Sequence, residues 1–215
     1  MKVIEIFKSI DGEGIRAGFP VTFIRLAGCN LNCSYCDTRY AWEGDYTYEE
    51  MTPEEIYEKV FKMGCRRITL TGGEPLIHED VDTLLELLTG GGFDVNIETN
   101  GSVDIEPYTE CSKILVTMDY KCPSSGPASH GLMKLSNLGN LRKKDVLKFV
   151  VGSKEDLDCC RDMIEYTSAQ VFISPVFGKI EPKEIVEYML EHNMQDCRIQ
   201  LQLHKFIWPP EQRGV

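Results

Sequence analysis

The chain has 215 residues, of which 42% are hydrophobic and 27% charged, and carries a formal net charge of −11. That length suits one folded unit, residues 1–215, with a sizeable core. The acidity disfavours a nucleic-acid backbone as partner, though not a small substrate in a locally basic pocket, and no apolar run reaches the roughly 20 residues of a membrane span. The cysteines number nine, an odd count, and the N-terminal MKVIEIFKSIDGEG is too acidic for a secretory leader. Together these point to a reducing cytoplasm.

Apolar, β-branched runs recur in chain order: VTFIRLA (21–27), RITLT (67–71), FDVNIET (93–99), KILVTMD (113–119), VLKFVV (146–151), QVFIS (170–174) and CRIQLQL (197–203). Most are short and nearly continuous in apolar character, as strands buried on both faces should be. Four helical patterns fall between them. MTPEEIYEKVFKM (51–63) carries Thr52 as N-cap, Pro53 at the first helical position and Glu55 closing a capping box, with Ile56, Val60 and Met63 on one face. HEDVDTLLELLTGGG (78–92) has acidic residues in its first turn and glycines to stop it, SKEDLDCCRDMIEY (153–166) opens on Ser153, and EPKEIVEYMLEHN (181–193) has Pro182 in its first turn. Strands alternating with helices predict a parallel α/β sheet with right-handed crossovers, and the length favours an open, partial TIM-like barrel over a closed eightfold one. The stretch from Lys121 to Asp145 reads as a long irregular loop.

Five unusual stretches directly follow strands: the cysteine-rich GCNLNCSYCDT (28–38), TGGEP (71–75), TNG (99–101), DYKCP (119–123) and SPVFG (174–178). Carboxyl ends of parallel strands share one mouth, so these stretches should converge on one site. Cys29, Cys33 and Cys36 are three thiols within eight residues. Zinc would need a fourth ligand, and none of His78, His130, His192 or His204 has the paired spacing of a zinc finger. A cuboidal 4Fe–4S cluster held by three thiolates would keep one iron open for a small molecule. The remaining cysteines, Cys65, Cys111, Cys122, Cys159, Cys160 and Cys197, read as small buried hydrophobes.

Cys29-x-x-x-Cys33-x-x-Cys36, with the aromatic Tyr35 before the third cysteine, resembles the cluster motif of radical S-adenosylmethionine enzymes, and Gly72-Gly73-Glu74-Pro75 resembles their glycine motif after the second strand. That resemblance implies an open iron chelated by the amino and carboxylate groups of S-adenosylmethionine. The reduced cluster then cleaves this cofactor to methionine and a 5′-deoxyadenosyl radical. SIDGEG (9–14), Arg25 before LAGCNLNC, CDT (36–38), ETNG (98–101) and LQLHKFIW (201–208) narrow the likeness to the 7-carboxy-7-deazaguanine synthase family, over nearly the whole chain.

The narrower resemblance implies conversion of 6-carboxy-5,6,7,8-tetrahydropterin, with Mg²⁺, in the queuosine pathway. Substrate would contact Ile10, Asp11, Gly12, Glu13, Arg25 and Thr99; Thr38 would ligate Mg²⁺; Gly73, Glu74, Gly101, Asp119, Tyr120, Lys121 and Ser174 would bind S-adenosylmethionine. It further implies a homodimer and a reducing partner such as flavodoxin or ferredoxin. Asp119-Tyr120-Lys121 stands where the family often has Ser-Pro-Lys, and Ser174-Pro175 where it often has Gln-Pro. Gln202 and His204 are expected on alternate positions of the terminal strand. Two alternatives stay open at this point. DGEGIR echoes a stretch of glycyl-radical activating enzymes, and a non-catalytic iron–sulfur or zinc protein would share the cysteines.

Overall fold

The computed structural model describes residues 1–209 and 212–215. Among the described residues there are nine strands: β1 (Lys2–Ile10), β2 (Pro20–Leu26), β3 (Glu49–Glu50), β4 (Arg67–Gly72), β5 (Asp94–Thr99), β6 (Ile114–Tyr120), β7 (Val146–Val151), β8 (Gln170–Pro175) and β9 (Cys197–Ile199). They form a single sheet in the order β3-β1-β2-β4-β5-β6-β7-β8-β9. From β2 onward every neighbouring pair is parallel. The edge strands β3 and β9 do not meet, so the barrel is partial, as the sequence predicts. Among the described residues, no helix is long and apolar enough to cross a membrane.

The helices are α1 (Pro53–Met63), α2 (Val81–Gly90), α3 (Glu106–Thr109), α4 (Pro127–His130), α5 (Ser136–Asn140), α6 (Lys154–Met163), α7 (Pro182–Glu191) and α8 (His204–Ile207). The Thr52–Glu55 capping box forms, with Glu55 N–H donating to Thr52 Oγ1 and Thr52 N–H to Glu55 Oε2. Ser153 Oγ accepts from Asp156 N–H at the start of α6. The four long helices α1, α2, α6 and α7 cover one face of the sheet. Ile56, Val60, Leu84, Leu88, Leu157 and Ile185 pack there on Leu26, Leu70, Ile97, Met118, Phe149 and Ile173.

The structure extends or corrects the sequence reading at three places. First, the N-terminal segment is a full strand. β1 runs antiparallel to β2 and to the short β3, a pairing that the short alternation in MKVIEIFKSI did not signal. Second, the parallel strands are not uniformly apolar. Their inner positions are buried but polar: Thr69 and Thr71 on β4, Asn96 on β5, Thr117 on β6, Lys148 on β7 and Ser174 on β8. Side chains alternate across a strand, so one face feeds the helix-covered core and the other lines the barrel interior. Third, residues 121–145 are folded rather than irregular. They hold a 3₁₀ turn (Pro123–Ser125), α4 and α5, pinned by buried Cys122, Asn137, Leu138 and Leu141.

Candidate active site

The carboxyl ends of the strands open into a cavity of about 470 Å³. Its wall includes Cys29, Cys33 and Cys36, as well as Ile10, Asp11, Gly12, Glu13, Arg25, Thr38, Gly73, Thr99, Asp119 and Lys121. The stretches following β2, β4, β5, β6 and β8 therefore converge as their positions in the sequence predict, and the Asp11–Glu13 turn after the antiparallel β1 joins them on the wall.

The cysteine loop is held from two sides. Glu74 N–H donates to Gly28 O at 2.9 Å, and Gly73 N–H to Leu26 O at 3.3 Å. The approach is so close that a Cβ on Gly73 would lie 2.6 Å from the Gly28 carbonyl carbon and 2.7 Å from Cys29 Cβ, which only glycine avoids. From the other side, Ser125 O accepts from Ser34 N–H at 2.9 Å, and Ser124 O accepts from Ser34 Oγ at 2.6 Å. Ser124 in turn is tied to the buried carboxylate of Asp156 through its N–H at 2.9 Å.

The donor set fits an iron–sulfur cluster better than a single ion. Among the described residues, no three His, Cys, Asp or Glu side chains converge to hold one metal ion. A cuboidal cluster instead presents separate irons to separate thiolates. Donors already face two of the sulfurs: Leu31 N–H lies 3.4 Å and Asn100 Nδ2 3.8 Å from Cys29 Sγ, and Trp42 Nε1 lies 3.5 Å from Cys36 Sγ. Such contacts tune metal-bound thiolates. Three wall residues carry a buried atom with no protein hydrogen bond among the described residues: the Tyr35 hydroxyl, Asp11 Oδ2, and Asp119 Oδ1, which meets Lys148 as an ion pair at 3.1 Å. Atoms left so in a cavity wall suit a ligand.

The floor of the cavity is charged. Lys148 Nζ lies 3.2 Å from Glu13 Oε2 and 3.1 Å from Asp119 Oδ1, and Lys121 Nζ lies 3.4 Å from Asp119 Oδ2. Glu13 also accepts from Ser174 Oγ at 3.3 Å and from Gln202 Nε2 at 3.2 Å. Burial works against the Lys148 ammonium, but Asp119, Glu13 and Glu98 outweigh it and hold its pKa well above the ordinary lysine value. Burial likewise works against the Asp119 carboxylate, and Lys121 and Lys148 outweigh it and hold its pKa below the usual range. Asp11 is pushed up to about 7, by burial first and then by Glu98, despite the hydrogen bond from Thr69.

Several expected site residues sit differently. The Glu74 carboxylate turns away from the cavity and accepts from Thr99 Oγ1 at 2.8 Å, Asn100 N–H at 2.6 Å and Leu76 N–H at 3.1 Å. It positions the TNG turn, and burial pushes its pKa up to about 7. Tyr120 is in the helix-covered core, its ring 5.1 Å from that of Phe149. Gly101 lies behind the wall against Met118 and Met133, and Asn100 takes the wall position. Ser174 reaches the site through Glu13. Arg25 Nε pairs with Glu5 Oε1 at 2.7 Å, while the guanidinium remains on the cavity wall.

The terminal segment is not one strand. β9 stops at Ile199, because Gln200 turns to bond Gly14 N–H and O through its amide and Leu203 N–H donates to Gly12 O. His204 then opens α8 and packs on Gly12, where any Cβ would collide with its ring. Sequence reading missed Glu98, Lys148, Lys205 and Gln212–Val215 on the wall. For Lys148 a signal existed: it is the one charge inside the apolar run VLKFVV.

A cavity at the strand ends of a partial barrel, with three cysteines beside a strand-terminal Gly-Gly, defines the radical S-adenosylmethionine class; residues 23–119 match the Radical SAM superfamily. The chain is 46% identical to the 7-carboxy-7-deazaguanine synthase of Clostridium acetobutylicum, over 100% of this chain and 99% of that protein. It is 42% identical to the protein of that name from Methanospirillum hungatei, over 98% of this chain and 86% of that one. The crystal structure of QueE from Escherichia coli shares the fold, with a TM-score of 0.75 over 94% of this chain and 93% of that one, at 23% identity. The chain belongs to the 7-carboxy-7-deazaguanine synthase family.

Proposed function

We propose that this chain, as one domain of residues 1–215, contracts 6-carboxy-5,6,7,8-tetrahydropterin to 7-carboxy-7-deazaguanine with loss of ammonia. The observation that carries this reading is the placement of Cys29, Cys33 and Cys36 in one cavity with Glu13, Arg25, Thr38 and Thr99, in a chain aligned end to end with synthases of that name. The product is the substrate less ammonia, so the overall change is redox-neutral. When bound at the three cysteines, a reduced 4Fe–4S cluster with S-adenosylmethionine supplies the radical that abstracts a substrate hydrogen.

The residues of the chain do the holding. Gly73 presents backbone at the cysteine loop, where the methionyl part of the cofactor would lie, and Lys121 and Asp119 offer one charge of each sign to its polar groups. Arg25 has a planar fork whose terminal nitrogens have no protein hydrogen bond among the described residues, suited to the substrate carboxylate. Glu13 and the backbone of Asp11–Gly12 would accept from the amine and amide edge of the pterin. Thr38 Oγ1 donates to Asp37 Oδ1 at 2.9 Å, which leaves its lone pairs for Mg²⁺, a cation that prefers oxygen ligands and retains waters. Asp37 is held below the usual carboxylate range, burial being outweighed by Lys205 and by the Thr38 hydroxyl.

All nine cysteines are free, as a reducing cytoplasm would keep them. A homodimer and a flavodoxin- or ferredoxin-like electron donor complete the proposal. Anaerobic reconstitution with iron and sulfide, followed by reductant, S-adenosylmethionine, Mg²⁺ and the carboxytetrahydropterin, should yield the deazaguanine acid. Cofactor cleavage with no such product would remove the substrate assignment and leave the class standing.

A further inference from the structure

Lys148 lies on β7, in register with Asp119 on β6, and its side chain is 7% exposed. Its ammonium touches two carboxylates that belong to different parts of the site. Glu13 comes from the turn after β1, separated from Lys148 by 135 residues in sequence, and Asp119 lies next to the end of the neighbouring strand β6. Asp119 is paired in turn with Lys121, so the charges run Glu13–Lys148–Asp119–Lys121 across the cavity floor. A third carboxylate, Glu98, also faces the ammonium.

Desolvating a lone ammonium is costly, and such a group persists only where carboxylates compensate it. The converse also holds. Without Lys148, Glu13 and Asp119 would face each other in a cavity of low dielectric with no cation between them, and repulsion would drive the two side chains apart. Glu13 would then keep only the neutral donors Ser174 Oγ and Gln202 Nε2, at 3.3 and 3.2 Å. Neither carries the positive charge that holds the carboxylate in place.

We infer that Lys148 is a positioning residue: it holds the Glu13 carboxylate aimed at the substrate's N–H edge, and it links that end of the cavity to Asp119 and Lys121 at the cofactor end. The inference rests on the proposed substrate. Its consequence is a division of labour on the cavity floor. Acting through Glu13 and Asp119, Lys148 sets how well substrate is held while cofactor cleavage proceeds.

The test compares the full chain with Lys148→Met, Lys148→Arg and the double variant Lys148→Met/Asp119→Asn, the last removing a carboxylate together with its counter-ion in case the single variant folds poorly. The first measurement is calorimetric binding of 6-carboxypterin, the stable oxidised analogue, to the reconstituted protein with S-adenosylmethionine and Mg²⁺ present and no reductant. Lys148→Met should weaken it by roughly 10- to 100-fold, the range expected when a charge-assisted contact is lost. Lys148→Arg should recover most of the loss, and the double variant should lie between them.

The second measurement uses the reconstituted enzyme. KM for the carboxytetrahydropterin should rise, iron content should stay constant, and cofactor cleavage should become uncoupled from product formation. Wild-type affinity in Lys148→Met and in the double variant would overturn the inference, as would a fall in kcat at unchanged KM with coupling preserved. Failure of the unsubstituted chain to bind 6-carboxypterin would overturn the substrate reading and the inference with it.

Discussion

Replacing Gly73 by alanine would put a methyl carbon 2.6 Å from the Gly28 carbonyl carbon and 2.7 Å from Cys29 Cβ. Ordinary carbon–carbon contact is about 3.5–4.0 Å, so the two backbones must part by about 1 Å. Neither can yield through a flexible side chain, because the clash is with backbone and with a Cβ. Overpacking of this kind costs about 1–3 kcal/mol. For a chain of this length that lowers Tm by roughly 2–12 °C, at about 2–4 °C per kcal/mol. The same displacement moves Cys29, and a misplacement of about 1 Å at a reacting centre can cost on the order of 100-fold in rate.

The assay is thermal unfolding of the cluster-free protein, followed by iron content and cofactor cleavage after reconstitution. Gly90→Ala serves as the control. Gly90 ends α2, and a methyl group added there would have nothing within 4 Å, so alanine should stabilise by about 0.5–1 kcal/mol. A Gly73→Ala protein with unchanged Tm, full iron and full cleavage would refute the reasoning that this glycine sets the distance between β4 and the cysteine loop.

Other outcomes follow from the same geometry. Asp11 is raised from 3.8 to about 7 in the fold, so the folded protein binds its proton more tightly than the unfolded chain; stability should therefore fall as pH rises from about 4 to about 7, and Asp11→Asn should flatten that part of a Tm-against-pH curve. Arg25→Lys can keep one contact to Glu5 but loses the fork, and KM for the substrate should rise about tenfold with cofactor cleavage retained. If Thr38 is a Mg²⁺ ligand, Thr38→Ala should lose the stimulation of product formation by Mg²⁺ while its cluster spectrum is unchanged; equal stimulation in both proteins would remove that role.

The seven parallel strands and four long helices were legible because their signals are local: apolar runs, a Thr52–Glu55 box, a Ser153 cap. The convergence of loops at one mouth followed from strand order. What local pattern could not carry was partnership at a distance. Nothing near Lys148 announces that Glu13 is its counter-ion, and nothing near Glu74 says that its carboxylate is consumed by Thr99, Asn100 and Leu76. The last run, CRIQLQL, has the alternation of a strand, but after Ile199 its glutamines find better partners in the Asp11–Gly14 turn and in Glu13 than in a further sheet neighbour.

Among the described residues, the cavity wall carries the carboxylates of Asp11, Glu13, Asp37, Glu98 and Asp119 and the cations of Arg25, Lys121, Lys148, Lys205 and Arg213. The formal side-chain charges of the two signs balance there, and the burial that pushes Asp11 up to about 7 only removes negative charge from the wall, so the whole excess of −11 resides elsewhere on the chain. An anionic reductant, whether a small dianion or an acidic electron-carrying protein, must cross that outer field before any electron reaches the cysteines. The field fades over about 8 Å at physiological ionic strength. The rate of reduction should therefore climb with added salt, while the affinity of the internally paired floor for its substrate changes far less.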